Sequence, residues 1–208
     1  MTSGLGIFFV SFVFSFLGSI PPGSINLSIL SLSLDGKKAA AVRFALAAAL
    51  VEYPYAYIAL KFEAIITENA WINEHFHLLS ASVMIALGII GLLQNRRSTE
   101  LFDKFRDSGF RKGIVISILN PLAIPFWIGV TAYLKNQGWV VIDHEASIHY
   151  YVMGVSLGTF VLLISLSKIA TGIGFRYKDS SLLKIIPAIV FLILGIYSLM
   201  KFLLEIYK

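Results

Sequence analysis

Apolar residues in this chain gather into long blocks separated by short polar stretches. The blocks predict helices at roughly 5–34, 39–61, 77–95, 112–134, 148–170 and 183–204. At about 1.5 Å per residue, each is long enough to cross a hydrocarbon layer of about 30 Å. Two blocks are interrupted in their middles. The first contains Ser19-Ile20-Pro21-Pro22-Gly23-Ser24-Ile25-Asn26, where two prolines lack N–H groups and a glycine favours non-helical geometry. The fourth contains Ile118-Leu119-Asn120-Pro121-Leu122-Ala123-Ile124-Pro125. A helix broken at that depth leaves N–H and C=O groups facing hydrocarbon, so breaks persist where protein, water or a ligand satisfies them. An internally paired proline kink remains the alternative at each site.

Composition agrees with the pattern. Of 208 residues, 57% are hydrophobic and 14% charged, and the mean hydropathy is +0.81, whereas soluble domains carry about 25% charged residues. The chain reads as an all-α integral membrane protein with little room for a separate soluble domain. It has no cysteine, which excludes disulfides, thiolate metal sites, iron–sulfur clusters and cysteine nucleophiles. The first basic residue is Lys37, so the opening segment lacks the basic region of a secretory signal and is read as a retained transmembrane helix.

The net charge of +5 points to membrane topology rather than to nucleic acid. Lys37, Lys38 and Arg43 flank the first loop; Arg96, Arg97, Lys104, Arg106, Arg111 and Lys112 the third; Lys168, Arg176, Lys178 and Lys184 the fifth. The second and fourth loops contribute Lys61 and Lys135, with Glu63, Glu68, Glu74, Asp143 and Glu145 beside them. The positive-inside rule then places the odd loops in the cytoplasm and both termini outside. Within the third loop, Leu101, Phe102 and Phe105 lie at helical spacing, which suits an amphipathic helix on the inner leaflet or a solvated linker.

The matching breaks in the first and fourth crossings divide the chain into a three-helix repeat at 1–95, a cytoplasmic linker at 96–111 and a second three-helix repeat at 112–208. Three helices per half is an odd number, so the second half enters the membrane inverted, the plan of many secondary transporters. The half-helix after each break points its N–H groups and positive dipole end into the bundle, where a carboxylate can sit. Pro22, Gly23, Ser24, Asn26, Asn120 and Pro121 are therefore the candidate substrate-binding residues. Interhelical hydrogen bonding is the competing role for the polar ones.

Glu52 lies midway along the second apolar crossing. A carboxylate there costs about 2.5–3.5 kcal/mol or more, so it should face the bundle interior. It is the candidate proton-coupling residue, with a structural acid bonded to backbone or tyrosine as the alternative. Pro54 frees the carbonyl of Leu50 as a further polar group on the next turn.

Other features have plainer readings. His75, His77, His144 and His149 lie in the outward loops or at their edges, where they form an outer metal site or, beside Trp71, Trp139, Tyr150 and Tyr151, an ordinary interface belt. Ser11, Ser15 and Ser19 recur every four residues and line either a wet pathway or a packed seam. Ala45, Ala48, Ala49, Gly88 and Gly91 suit close helix packing; Gly154 and Gly158 do too, or serve a homodimer interface.

Pro22, Gly23 and Asn26, the Gly36-Lys37-Lys38 loop, Glu52, and Lys112-Gly113 followed by Asn120-Pro121 together resemble the LysE family of translocators, over nearly the whole chain. The resemblance implies six helices in a bacterial inner membrane, export of amino acids or similar small metabolites, and exchange with protons. Many members carry Pro-Gly-Pro where this chain has Pro22-Gly23-Ser24, and commonly Gly-Asp where it has Val51-Glu52, so no substrate carries over. Related families of the wider superfamily move metal ions. The alternative is thus a divalent-metal exporter using Glu52, Asn26 and Asn120 as oxygen ligands, although one central acid is few for such a cation. An intramembrane enzyme is the further alternative, against which stand the lack of H-E-x-x-H, G-x-S-x-G and paired intramembrane aspartates. A purely structural scaffold needs neither two breaks nor a buried acid. The expected partners are a small-molecule substrate, protons and lipid, with no cofactor and no nucleic acid.

Overall fold

The prolines end helices where the sequence places them. In the computed structural model α1 (Gly4–Gly18) stops before Pro21 and α2 (Ser24–Leu34) starts beyond Pro22; α4 (Gly109–Ile118) stops before Pro121 and α5 (Ala123–Asn136) follows it. Between and after them run α3 (Lys38–Glu68) and α6 (Glu145–Ile173). The structure describes residues 3–20, 23–68, 108–120 and 123–173, with scattered positions in 71–89 and 189–204. Pro21, Pro22 and Pro121, most of the expected third and sixth crossings, and Leu101, Phe102 and Phe105 lie outside the described residues.

At both breaks the last turn tightens: Ile20 N–H donates to Leu17 O at 3.2 Å and Asn120 N–H to Ser117 O at 3.2 Å. The chain is extended at Gly23 (φ −122°, ψ −177°) before α2 begins, and α4 and α5 meet at 68°. The turn from α2 to α3 closes with Gly36 at φ +74°. There Lys37 N–H donates to Leu32 O at 2.9 Å and Gly36 N–H to Ser33 O at 3.1 Å, a Schellman arrangement that a side chain at Gly36 would strain.

α3 differs from its sequence reading. It runs through Pro54 without breaking and continues to Glu68, so Lys61 and Glu63, expected in a loop, are helical. Leu50 and Pro54 share its exposed face, opposite the interior, so the freed carbonyl adds nothing beside Glu52. α4 likewise starts at Gly109, inside the expected linker, with Ser108 Oγ accepting from Arg111 N–H at 3.3 Å as its cap.

Among the described helices, α6 alone has the length and hydropathy of a membrane span, and the α4–α5 pair qualifies if taken as one bent span. Among the described residues, the expected six crossings are thus not shown. Large apolar side chains nevertheless line outward faces at helical spacing: Leu5, Phe9, Val13 and Leu17 on α1; Val42, Leu46 and Leu50 on α3; Met153, Leu157 and Val161 on α6. Such faces match lipid better than water.

Packing is reciprocal. α1 and α2 lie against α6, α4 and α5 lie against α3, and α3 lies against α6. Each interrupted helix pair therefore rests on the long helix of the other half. Glycines permit the closest approaches: a Cβ on Gly109 would sit 1.9 Å from Ala40 O, and one on Gly154 would sit 2.4 Å from Phe8 O. Gly154 and Gly158 are consumed by α1 in this way and are not free to form a homodimer interface. Ser11 and Ser15 belong to the same contact and resolve as a seam. Ser15 Oγ donates to Val155 O at 2.6 Å and meets Thr159 Oγ1 at 3.0 Å.

The buried apolar side chains form two clusters along α3. One gathers Ala40, Ala41, Phe44, Ala45 and Ala48 with Ile29, Leu32, Ile116 and Leu163. The other gathers Ala56, Ala59 and Leu60 with Ile7, Trp127, Leu134, Tyr151 and Val155. Glu52 falls between them.

Candidate functional site

A carboxylate placed between two apolar clusters needs a donor, and α5 supplies it. Trp127 Nε1–H donates to Glu52 Oε1 at 2.8 Å. Trp127 is fully buried and Glu52 nearly so, at 9%. The indole is set by the restart of the helix after the second break and by Phe126, whose ring meets it edge-on at 5.0 Å. An indole N–H deep in a bundle seeks an acceptor as strongly as the carboxylate seeks a donor, so each satisfies the other.

One turn further along α3, Tyr55 donates its hydroxyl to Ile118 O at 2.6 Å. Ile118 ends α4, and the last carbonyls of a helix are left to donors from outside it. α3 therefore grips the second break from both sides, Tyr55 on the residue before it and Glu52 on the half-helix after it. Asn120 sits within that break, half-buried, its carbonyl 3.5 Å from the N–H of Ala123 that opens α5. Ser117, one turn earlier and buried, has a hydroxyl with no hydrogen-bond partner among the described residues.

The first break is closed differently. Asn26 reaches back from α2, its amide donating to Ser19 O at 2.8 Å and to Ile20 O at 3.4 Å, and so satisfies the carbonyls stranded at the end of α1. Gly23 caps α2 without a side-chain hydrogen bond, and a Cβ there would meet nothing within 4 Å among the described residues. Ser24 beside it is exposed. The structure thus joins Glu52 to the second break, while Gly23, Ser24 and Asn26 belong to the first. Pro22 and Pro121, the remaining expected contacts, lie outside the described residues.

Trp127 was not among the residues singled out from sequence. Its position offered a signal: tryptophan favours the membrane interface, so one in the middle of a crossing implies a buried acceptor nearby. Glu63 and Lys135 were also missed. The hydropathy pattern places both in loops, yet Lys135 Nζ donates to Glu63 Oε2 at 2.6 Å and the Glu63 side chain is only 3% exposed.

The histidines disperse into separate local contacts. His149 Nδ1 shares a hydrogen bond with Tyr53 OH at 2.7 Å, and His75 Nδ1 lies 3.0 Å from Trp71 O. His144 contacts Asp143, whose carboxylate also accepts from Ser147 Oγ at 3.0 Å. The Ser147 hydroxyl, and after it His144, hold the Asp143 carboxyl below its ordinary range. His77 and Glu74 lie outside the described residues. Among the described residues no three His, Cys, Asp or Glu are gathered to hold a metal ion.

The family model described as LysE type translocator matches residues 4–201 of the chain. Neither the curated proteins nor the solved structures yield a match.

Proposed function

The chain belongs to the LysE type translocator family, and on that premise we propose that it is a proton-coupled secondary transporter exporting amino acids or similar small metabolites. A translocator is a multi-pass membrane protein, and this one works in a bacterial plasma membrane with both termini outside. Two inverted three-helix halves alternate access between the two faces. The reciprocal packing, in which each interrupted pair rests on the other half's long helix, supports that plan.

The observation that carries the reading is the bond between Glu52 and Trp127 beside a broken crossing. Glu52 takes up a proton from one face and releases it to the other, and the Trp127 N–H holds the carboxylate in the outward-closed arrangement. The space beside Gly23 and the polar side chains of Ser117 and Asn120 receive the charged end of the solute. Solute and proton then compete for a bundle that rearranges at the second break.

The test is counterflow in proteoliposomes against a library of labelled amino acids and metabolites, with an imposed proton gradient. Parent protein moves one solute class in a gradient-dependent way. Glu52→Gln, which keeps an oxygen to accept from Trp127, still exchanges that solute but loses the dependence on the gradient. Equal gradient dependence in both proteins would remove Glu52 from the coupling step.

A further inference from the structure

The face of α5 that holds Trp127 carries two more polar side chains. Trp127, Thr131 and Lys135 recur every four residues and form one stripe. Each bonds to a different element or position. Trp127 meets Glu52 of α3 at 2.8 Å, Thr131 Oγ1 meets the Tyr151 hydroxyl of α6 at 2.7 Å, and Lys135 meets Glu63 of α3 at 2.6 Å. Both carboxylates therefore sit on α3 and both of their donors on α5.

Glu52 and Glu63 are separated by about 16 Å along the helix axis at 1.5 Å per residue. The α3 surface between them is Ala56, Ala59 and Leu60, buried with Leu134 and Tyr151 in an apolar cluster. The ion pair closes that dry stretch at its far end. The acid lies inside the bundle, and the ammonium, 32% exposed, reaches in from the last turn of α5. A buried pair of this kind adds little stability over apolar side chains of equal volume, yet breaking it is costly. Those properties suit a contact that must be either made or broken. Because Trp127 and Lys135 ride on one helix, α5 cannot leave α3 without releasing both carboxylates.

We propose that Glu63 and Lys135 are the outer latch of the transport path. Closed, the pair seals α5 against α3 between Glu52 and the outer face, and its opening exposes Glu52 to that face. The proposal rests on the exporter reading and on the charge-derived orientation. The two residues act by positioning α5, and neither has to touch the solute.

The chain has no cysteine, so a single Ala59→Cys reports directly on the sealed stretch. Intact cells are treated with a membrane-impermeant thiol reagent, and labelling is compared in folded, monodisperse protein. Labelling is slow in the otherwise parental background and with Lys135→Arg. It rises about tenfold when Glu63→Gln and Lys135→Gln are combined, as an open state of a few per cent becomes a major one. Exchanging the charges, Glu63→Lys with Lys135→Glu, returns it toward the parental rate. Unchanged labelling in the neutral pair, or labelling only from the inner face in inverted vesicles, overturns the latch. If the exchanged pair does not fold, Lys135→Arg labelling as fast as the neutral pair overturns it equally. Labelling needs no solute, so it stands apart from the transport assay. Should Glu52→Gln keep full gradient dependence while labelling follows this order, the coupling role falls and the latch stands.

Discussion

Two of the seams in this bundle are built from opposite materials. Where α1 lies on α6, backbone meets backbone. Gly154 and Gly158 leave no room for a Cβ, and the polar groups are small hydroxyls bonded at close range, Ser15 to Val155 O and Thr159. Where α5 lies on α3, long side chains meet: an indole on a carboxylate and an ammonium on a second carboxylate. Small-residue contacts have short reach and one good geometry, so the first seam resists sliding. Charged and indole groups can exchange partners with water, protons or solute as the helices part. On the transporter reading proposed above, the contrast suits α1–α6 to a static role and α3–α5 to a moving one.

The largest expected effect comes from forcing the first seam apart. Gly154→Val drives its Cβ against Phe8 O and Ser11 Oγ, well inside van der Waals contact, and overpacking of this sort costs about 1–3 kcal/mol or more. The expected result is loss of monodisperse protein in detergent and a lower melting temperature. Protein that does fold should keep its dependence on the proton gradient. A variant that folds normally but loses the dependence would show that α1–α6 moves.

Second in size is Trp127→Phe. It keeps ring volume but removes the donor to Glu52, and a buried acceptor left unpaired costs about 1–3 kcal/mol. Transport should slow and its gradient dependence shift, while the melting temperature falls by less than in Gly154→Val. Equal transport in parent and variant would mean that the indole only fills space.

How much of this contrast could be read from the chain depends on the kind of contact. The breaks were legible because proline forbids a helical hydrogen bond wherever it stands, and Glu52 because an acid in an apolar run has to face inward. Ser11 and Ser15 announced a polar face, although spacing could not tell a seam from a wet path; the glycines opposite them decide it. Asn26 was legible as a polar group at a break but not as the stitch that closes it, because the same amide fits backbone or ligand. Glu63 and Lys135 were lost for a physical reason. Falling hydropathy after Leu60 reads as the end of a crossing, but α3 continues because its charge finds a partner on α5.

A smaller effect is expected at Ser15. Ser15→Ala removes one hydroxyl from a contact whose backbones already touch, and single hydrogen bonds between membrane helices average about 0.6 kcal/mol. Stability should drop slightly and gradient dependence should not change. A drop as large as that of Trp127→Phe would mean that the hydroxyls, rather than the glycines, hold the seam.

The smallest effect lies at the N-terminal end of α6, where the α1–α6 seam begins. Asp143 accepts from Ser147 Oγ across the first turn of the helix, with His144 against the same oxygen. These contacts favour the ionised carboxylate and hold its titration below the ordinary value of about 3.9. The folded value is the depressed one, so the contribution is whole above that ordinary value and fades as pH falls through the lowered one. Amide exchange at Glu145 to Ser147 should therefore be flat, once corrected for intrinsic rates, from neutral pH down to about 5, and should accelerate only in stronger acid. Asp143→Asn can still accept from Ser147 but carries no charge, so its exchange should lack that acid step. A step that persists in Asp143→Asn would trace it to another group. Acceleration that spreads along α6 to Gly154 would mean that the first seam is held from its cap, and the division between a fixed seam and a moving one would have to be redrawn there.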